Sequence, residues 1–430
     1  MIPRHRTLTI NRAQRSFSGS VGDAVTELVC PAGFSGSRPI QGTVGRPYGR
    51  GDEVPMFTLL VIVVLAYPTM RAVARRVERS DGEPVEKLHR LHKTSLGFMF
   101  AMLCLIALAA VELHEEKSIL HGPWRIIAVL PLIAVAIGLP VLLQLAMRST
   151  YERLRGIEGT TRNVRRRSLR GALVAMLPQL VWFGLLIGLS LGHAPGAVRV
   201  AALLAWLVFV ASCGPLLVRL AIPTRSPDAR TRDLVDTLGS ELGVRVRDVR
   251  VIDTRNNPTA NAVFSGFGPG PKYVFVTDKL LDDFADDELR AVLAHEIGHR
   301  VKHHIAIKLG ALLGSIVLMA AILFGLSTLD GGNLPHAAVI ALALLPIVII
   351  TTQLVVVGVV GIKLEQQADD YAASVVGADE MRRALEKLAE INMMKLRTGR
   401  FWNIMSQHPG MEQRIQRLQE QARSEQPSSV

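Results

Sequence analysis

The stretch LRAVLAHEIGHR, residues 289–300, decides most of what this sequence predicts, because it contains the pattern HExxH. On a helix, residues i and i+4 lie on one face, so the imidazoles of His295 and His299 can reach one metal ion. Glu296 would project beside that ion, where it can take a proton from the attacking water. The pattern therefore predicts a zinc peptidase with His295 and His299 as ligands and Glu296 as the catalytic base.

A zinc peptidase needs a third protein ligand and keeps one coordination position open. His303 follows at the next i+4 step, but three ligands in line along one helix cannot surround an ion. The better prediction is Glu365 in EQQADD, because it follows the last apolar run and returns to the face that holds the histidines. Asp369 lies at i+4 from Glu365, where it can accept the free N–H of a ligating imidazole. One Zn²⁺ per chain is expected.

The rest of the chain is apolar in long blocks. Of its 430 residues, 49% are hydrophobic and 20% are charged. Several uncharged runs have about the length that a helix needs to cross a bilayer. Seven transmembrane spans are predicted, over residues 56–70, 95–112, 125–147, 171–192, 198–221, 306–327 and 336–362.

Basic residues alternate between the connections. The connection over 148–170 carries eight Arg, whereas the next connection is GHAPGA and carries none. The positive-inside rule then places the N-terminus outside and the long connection and the C-terminus in the cytoplasm. The same loops account for the net charge of +12, so no nucleic-acid partner is predicted. The three scattered cysteines do not form a disulfide framework or a cysteine-type zinc site.

The predicted fold class is mainly α: a polytopic membrane bundle or barrel with a small cytoplasmic α+β module like that of the zincins. In the long connection, a helix is predicted over 228–242 and three strands over 248–253, 261–267 and 272–278. After residue 364, helices are predicted around 365–376, 378–395 and 410–422. The expected organisation is a disordered or mis-annotated extension (1–55), five spans (56–221), the module (222–305), a transmembrane hairpin (306–362), a helical part with the third ligand (363–422) and a disordered tail (423–430).

The HEIGH motif, the downstream ExxAD and the upstream strand beginning Asn261-Ala262 together carry a family resemblance. The chain resembles the integral-membrane gluzincins called type I CaaX prenyl endopeptidases. The related HtpX membrane proteases have fewer spans before the motif. The resemblance covers roughly residues 56–420. It implies the same zinc ligands and catalytic base, and a barrel of seven helices around a large intramembrane chamber.

The resemblance also suggests roles for four further residues. His408, in a His-Pro…Arg element, could donate a hydrogen bond to the tetrahedral oxyanion. Arg414 of the same element could hold substrate or pair with an acidic residue of the site. Asn261 and Ala262 would lie on an edge strand that aligns the peptide by strand addition. Each also has an ordinary reading, as a turn histidine, a solvated arginine or plain strand residues.

The expected function is that of a membrane-embedded zinc metalloendopeptidase acting on membrane-associated peptides or proteins. The composition indicates a bacterial source, hence the plasma membrane and a role in membrane-protein quality control or processing. A CaaX-type prenylprotein endopeptidase is the first alternative. The alternative of another class is a non-catalytic membrane scaffold or channel with a vestigial metal site. The sequence does not indicate an oligomeric state.

Overall fold

The regular structure of the chain is almost entirely helical. A computed structural model describes residues 54–115, 124–157, 162–254, 259–266, 271–329, 336–406 and 409–425. The helices are α1 (Val54–Arg79), α2 (Pro84–Glu115), α3 (Trp124–Leu154), α4 (Arg162–Leu191), α5 (Gly196–Ala221), α6 (Ala229–Glu241), α7 (Asp278–Asp283), α8 (Asp286–Val301), α9 (His304–Leu329), α10 (His336–Val376), α11 (Ala378–Ile391), α12 (Arg400–Ser406) and α13 (Met411–Glu425). The strands are β1 (Thr224–Arg225), β2 (Asp248–Ile252), β3 (Ala262–Ser265) and β4 (Tyr273–Thr277).

Seven long helices, α1 to α5, α9 and α10, cover the seven apolar runs of the sequence. Pro68 lies inside α1 without ending it. The prediction of a separate helix over 365–376 was wrong, because α10 continues unbroken from the last apolar run to Val376. No glycine or proline interrupts residues 362–370, so nothing in the sequence stops the helix there. Glu365 therefore lies on the same helix as the last predicted span.

Within the described residues, one helix is apolar and long enough to cross a membrane, over Leu169–Leu189. A bent pair, Gly196–Val210 and Ser212–Ala221, adds a second if it is counted as one span. No part of the Leu169–Leu189 window is buried inside the protein. The predicted count of seven spans is not confirmed by these helices and stays a prediction.

The four strands form one mixed sheet in the order β1-β2-β4-β3. β2 and β4 are parallel, whereas β1 with β2 and β3 with β4 are antiparallel. The three predicted strands are confirmed as β2, β3 and β4. β1, α7 and α12 were not predicted, because two to seven residues are too short to show a period. β3 is an edge strand of this sheet.

The main core packs α8 between the sheet and the C-terminal part of α10. Leu293 and Ile297 of α8 are buried with Val251 and Val276 of the sheet. Gly298 is essential to the approach of α10, since a Cβ there would lie 2.9 Å from Cδ1 of Tyr371. This close packing brings the HEIGH motif next to the segment that follows Leu364.

Glycine also permits a close contact of α10 with α12. A Cβ at Gly358 would lie 2.0 Å from the backbone oxygen of Ile404, which cannot move without shifting α12. We expect Gly358→Ala to destabilise the protein by about 1–3 kcal/mol through overpacking. Gly310→Ala on α9 is the matched control, because its Cβ meets nothing within 4 Å and alanine favours a helix. Thermal unfolding in detergent measures both, and equal melting temperatures would contradict the predicted contact.

Candidate metal centre

Two helices bring three potential metal ligands together. His295 and His299 lie one turn apart on α8, and Glu365 faces them from α10. Their ligand atoms all lie within 4.8 Å of one another. Nε2 of His295 is 3.6 Å from Oε2 of Glu365, and Nε2 of His299 is 3.4 Å from Oε1 of the same carboxylate. The two Nε2 atoms are 3.2 Å apart.

These separations fit a four-coordinate metal ion. Ligand bonds of roughly 2.0–2.1 Å in a tetrahedron place the donor atoms roughly 3.3–3.4 Å apart. The distance between the two Nε2 atoms is 3.2 Å, and each Nε2 lies 3.4–3.6 Å from one of the two oxygens of Glu365, close to that value. His295 and Glu365 are also buried, at 8% and 4% exposure, so two of the three donors are already shielded from water. The residues present can therefore hold one metal ion, and they leave room for a fourth ligand.

Glu296 lies beside these donors and contacts the sheet. Its Oε2 accepts a hydrogen bond from the backbone N–H of Phe264, at 3.2 Å. Burial raises the pKa of the Glu296 carboxyl, while His295 and this backbone N–H partly oppose the shift. A carboxylate with a raised pKa can take up and release a proton closer to neutral pH.

Asp369 and Arg414 form a buried ion pair behind His295. Nε and Nη2 of Arg414 donate to the two carboxylate oxygens of Asp369, at 2.8 and 2.6 Å. Nδ1 of His295 lies 3.0 Å from Oδ1 of Asp369, but the two groups are not aligned as a hydrogen bond. Arg414 therefore pairs with an acidic residue of the site, which is one of its two predicted roles.

The charges around the two imidazoles act in opposite directions. Burial alone would lower the pKa of His295, but its contacts with Asp369 and Glu365 raise that pKa to about 9. Burial and repulsion from His295 lower the pKa of His299 to about 3. Burial would raise the pKa of Asp369, but Arg414 holds it at about 2. Asp369 is thus an anion at neutral pH, and the two imidazoles do not both carry a proton.

Ala262 begins the edge strand β3, and Asn261 directly precedes it. The N–H of Thr277 donates to the carbonyl of Asn261, at 2.9 Å, so the peptide groups of Asn261 face β4. Backbone groups alternate along an antiparallel strand, so those of Ala262 and Phe264 point to the free edge. The side chain of Asn261 is exposed and that of Ala262 is buried.

His408, the fourth residue that the resemblance suggested, lies outside the described residues. Two groups that contact the site were missed. The N–H of Phe264 carries no side-chain signal, so no sequence pattern could have shown it. His304 is 1% exposed and contacts His299 through Nδ1 atoms 2.7 Å apart. The double histidine at 303–304 was a visible signal, but helix periodicity pointed to His303, which is exposed.

Comparison with known proteins finds a family similar to part of the chain. A model of peptidase family M48 matches residues 226–422, which include every residue of the site. The matched segment carries both the HEIGH motif on α8 and the glutamate on α10.

Individual relatives agree with this family. A protease HtpX homolog of Aquifex aeolicus is 30% identical over 194 residues, which cover 38% of this chain and 63% of the relative. A protease HtpX homolog of Pyrobaculum calidifontis is 31% identical over 205 residues, which cover 46% of this chain and 57% of the relative. The chain thus spans about three fifths of the length of these relatives. The crystal structure of S. mikatae Ste24p matches with a TM-score of 0.57 at 14% identity, over 86% of this chain and all of that one. It shows a shared fold.

The Asp369–Arg414 pair should contribute strongly to stability. Arg414→Met leaves the Asp369 carboxylate buried without its counter-charge, which we expect to cost about 3–5 kcal/mol. Arg417→Met is the matched control, because Arg417 on the same helix pairs with Asp370 while both side chains are more than 40% exposed. An exposed pair is worth about 0–1 kcal/mol. Chemical denaturation in detergent measures the two losses, and losses of equal size would refute the role of the buried pair.

Proposed function

We propose that the chain is a membrane-embedded zinc metalloendopeptidase. The observation that carries the proposal is the group of His295, His299 and Glu365, whose ligand atoms all lie within 4.8 Å of one another, beside the half-buried carboxylate of Glu296. Two histidines and one glutamate with an open position are a donor set typical of catalytic zinc in peptidases. The match of residues 226–422 to peptidase family M48 supports the same activity.

In the proposed mechanism, His295, His299 and Glu365 would hold a zinc ion, which would supply Lewis-acid polarisation of the scissile carbonyl and activation of water. Glu296 takes the proton of the attacking water and returns it to the leaving amine. Its raised pKa suits both steps, because the same carboxyl must gain and lose a proton. Asp369 holds the His295 ring in place, and Arg414 keeps Asp369 ionised. His408 is proposed to donate a hydrogen bond to the developing oxyanion.

The free edge of β3 is proposed to align the peptide substrate. Backbone groups of Ala262 and Phe264 point outward there, and an extended peptide can add to such an edge by main-chain hydrogen bonds. The Phe264 N–H also contacts Glu296, so a peptide on this edge would pass directly in front of the base. Asn261, exposed at the start of the strand, is placed to contact a substrate side chain or main chain.

The membrane assignment is supported by apolar surfaces that the protein itself does not cover. Large hydrophobic side chains are exposed on α4, α5 and α9, for example Phe209 at 60% and Leu318 at 63%. Apolar patches of this kind mark contact with lipid or another apolar partner. We propose seven spans with the N-terminus outside and the metal site and C-terminus on the cytoplasmic side, and membrane-associated proteins or peptides as substrates.

Within this activity, quality control or processing of membrane proteins is the proposed role, and prenylprotein cleavage is the alternative. Cleavage of a farnesylated CaaX peptide by the purified protein would favour the alternative. A non-catalytic scaffold is disfavoured, because it would have no use for a buried arrangement of two imidazoles and three acidic groups that costs free energy to desolvate.

Removing the base should separate metal binding from catalysis. We expect Glu296→Gln to bind zinc as the unchanged protein does, because Glu296 is not a ligand, and to lose about 100- to 10,000-fold in peptide cleavage. Glutamine can still accept the N–H of Phe264, so the fold should not change. Zinc content and turnover of a quenched peptide measure the two effects. Glu420→Gln, an exposed change on α13, is the control. Unchanged turnover in Glu296→Gln would remove the catalytic assignment.

Removing the proposed third ligand should instead weaken zinc binding, and turnover should fall as a consequence. Glu365→Gln should lower zinc affinity by more than about 100-fold, beyond the usual effect of an outer-shell change, and turnover should fall in proportion to zinc content. Excess zinc should therefore restore part of the turnover of Glu365→Gln but none of that of Glu296→Gln. Full zinc occupancy of Glu365→Gln at low zinc would mean that another residue is the third ligand.

The topology can be tested with single cysteines in a chain whose three native cysteines are replaced by alanine. Position 166 lies in the basic connection, so the thiol of Arg166→Cys should be shielded from an impermeant thiol reagent in intact cells. Position 197 lies in the next connection, so the thiol of Ala197→Cys should react. Both positions are exposed in the structure, so a difference reports the side of the membrane rather than burial. Labelling with the reverse pattern would overturn the proposed orientation.

A further inference from the structure

The two histidines of the metal centre have different partners on their second ring nitrogen. Nδ1 of His295 faces the carboxylate of Asp369 at 3.0 Å. Nδ1 of His299 faces Nδ1 of His304 at 2.7 Å, and Nε2 of His304 lies 3.2 Å from Oε1 of Gln367. The second set contains no carboxylate and runs from α8 through the start of α9 to α10.

For uncharged imidazoles, the hydrogens along this chain can be assigned from one end to the other. The Gln367 oxygen can only accept, so Nε2 of His304 carries the hydrogen and donates it. The neutral imidazole of His304 then has a bare Nδ1, which can only accept from Nδ1–H of His299. The hydrogen of His299 is thereby held on Nδ1, and its Nε2 keeps a free lone pair directed at Glu365.

A break between α8 and α9 brings His304 to this position. In a continuous helix, a residue five positions on points about 140° away, so His304 would not face His299. The chain breaks instead, because α8 ends at Val301, α9 begins at His304, and His303 between them has a left-handed φ of 57°. The His304 side chain is thereby directed back into the protein, where it is 1% exposed.

We propose that His304 is a positioning residue that, with Gln367, holds His299 in the tautomer and orientation that bind the metal ion. The inference rests on the proposed function, because it concerns a ligand of the proposed zinc site. It gives the two imidazoles different supports: an ionised carboxylate for His295 and a neutral acceptor for His299. His304 itself touches neither the metal nor the substrate in this role.

The test is the metal affinity of the purified full-length apoprotein, measured by zinc titration against a chromophoric chelator. His304→Phe keeps a ring but removes the acceptor, and should weaken zinc binding by about 10- to 100-fold. His304→Asn keeps an oxygen acceptor at the position of Nδ1 and should retain most of the affinity. His303→Asn changes the adjacent exposed histidine, suits the left-handed φ, and should bind zinc as the unchanged protein does.

A spectroscopic readout separates positioning from a general loss of packing. Cobalt(II) in the unchanged protein reports ligand geometry through its visible absorption, and we expect this spectrum to change in His304→Phe but not in His304→Asn or His303→Asn. If His304→Phe fails to fold by its apoprotein melting temperature, Gln367→Leu decides. Gln367 is exposed, so this change should leave the fold intact while removing the acceptor for His304. Weaker zinc binding by Gln367→Leu supports the inference, and unchanged binding overturns it.

The outcomes distinguish this inference from the proposed function. If the unchanged protein binds no zinc, the proposed function itself fails. If it binds zinc tightly and His304→Phe folds and binds it equally well with the same cobalt spectrum, the proposed zinc site stands and the role of His304 is overturned. Loss of affinity in His304→Asn equal to that in His304→Phe would also overturn it, because the acceptor would then not matter.

Discussion

The metal centre depends on the buried ion pair between Asp369 and Arg414. An ionised carboxylate at 2% exposure and a guanidinium at 8% are costly to desolvate, and the two short charge-assisted contacts between them offset that cost. The pair joins α10 to α13 and orders the acidic face against which His295 lies. Without Arg414, the carboxylates of Asp369 and Glu365 would repel each other in a space of low polarity. The C-terminal helix thus determines the charge of a site whose proposed ligands lie elsewhere in the chain.

Much of the site could be predicted from the sequence because its residues follow helical spacing. His295 and His299 lie at i and i+4, as do Glu365 and Asp369, and regular spacing survives folding unless a helix breaks. Where a helix breaks, helical spacing gives no guide: the left-handed residue at position 303 ends the register of α8, and the contact of His304 with His299 was not predicted. The backbone donor of Phe264 could not be predicted at all, because every residue except proline carries the same N–H.

The fold shows a similar division. The strands and the long helices were predicted because alternation and apolar runs extend over enough residues to be recognised. The helix boundaries were predicted less accurately. In α10, for example, no stop signal in the sequence separates the apolar part from the polar part. Close contacts at Gly298 and Gly358 depend on which helices meet, and a single sequence does not show this. The number of membrane spans does not follow from the number of long helices, because a long helix need not face lipid along its whole length.

The continuity of α10 has a consequence for the proposed substrates. A helix rises about 1.5 Å per residue, so Glu365 lies roughly 4–5 Å beyond residue 362, where the predicted span ends. On α8, His299 lies just before the short break that leads into α9, whose apolar part is the preceding span. Both sides of the metal centre are therefore fixed at the edge of the proposed bilayer by rigid helices. A peptide bond would reach this site at the membrane surface or from within the membrane, which favours substrates that are themselves held at the membrane.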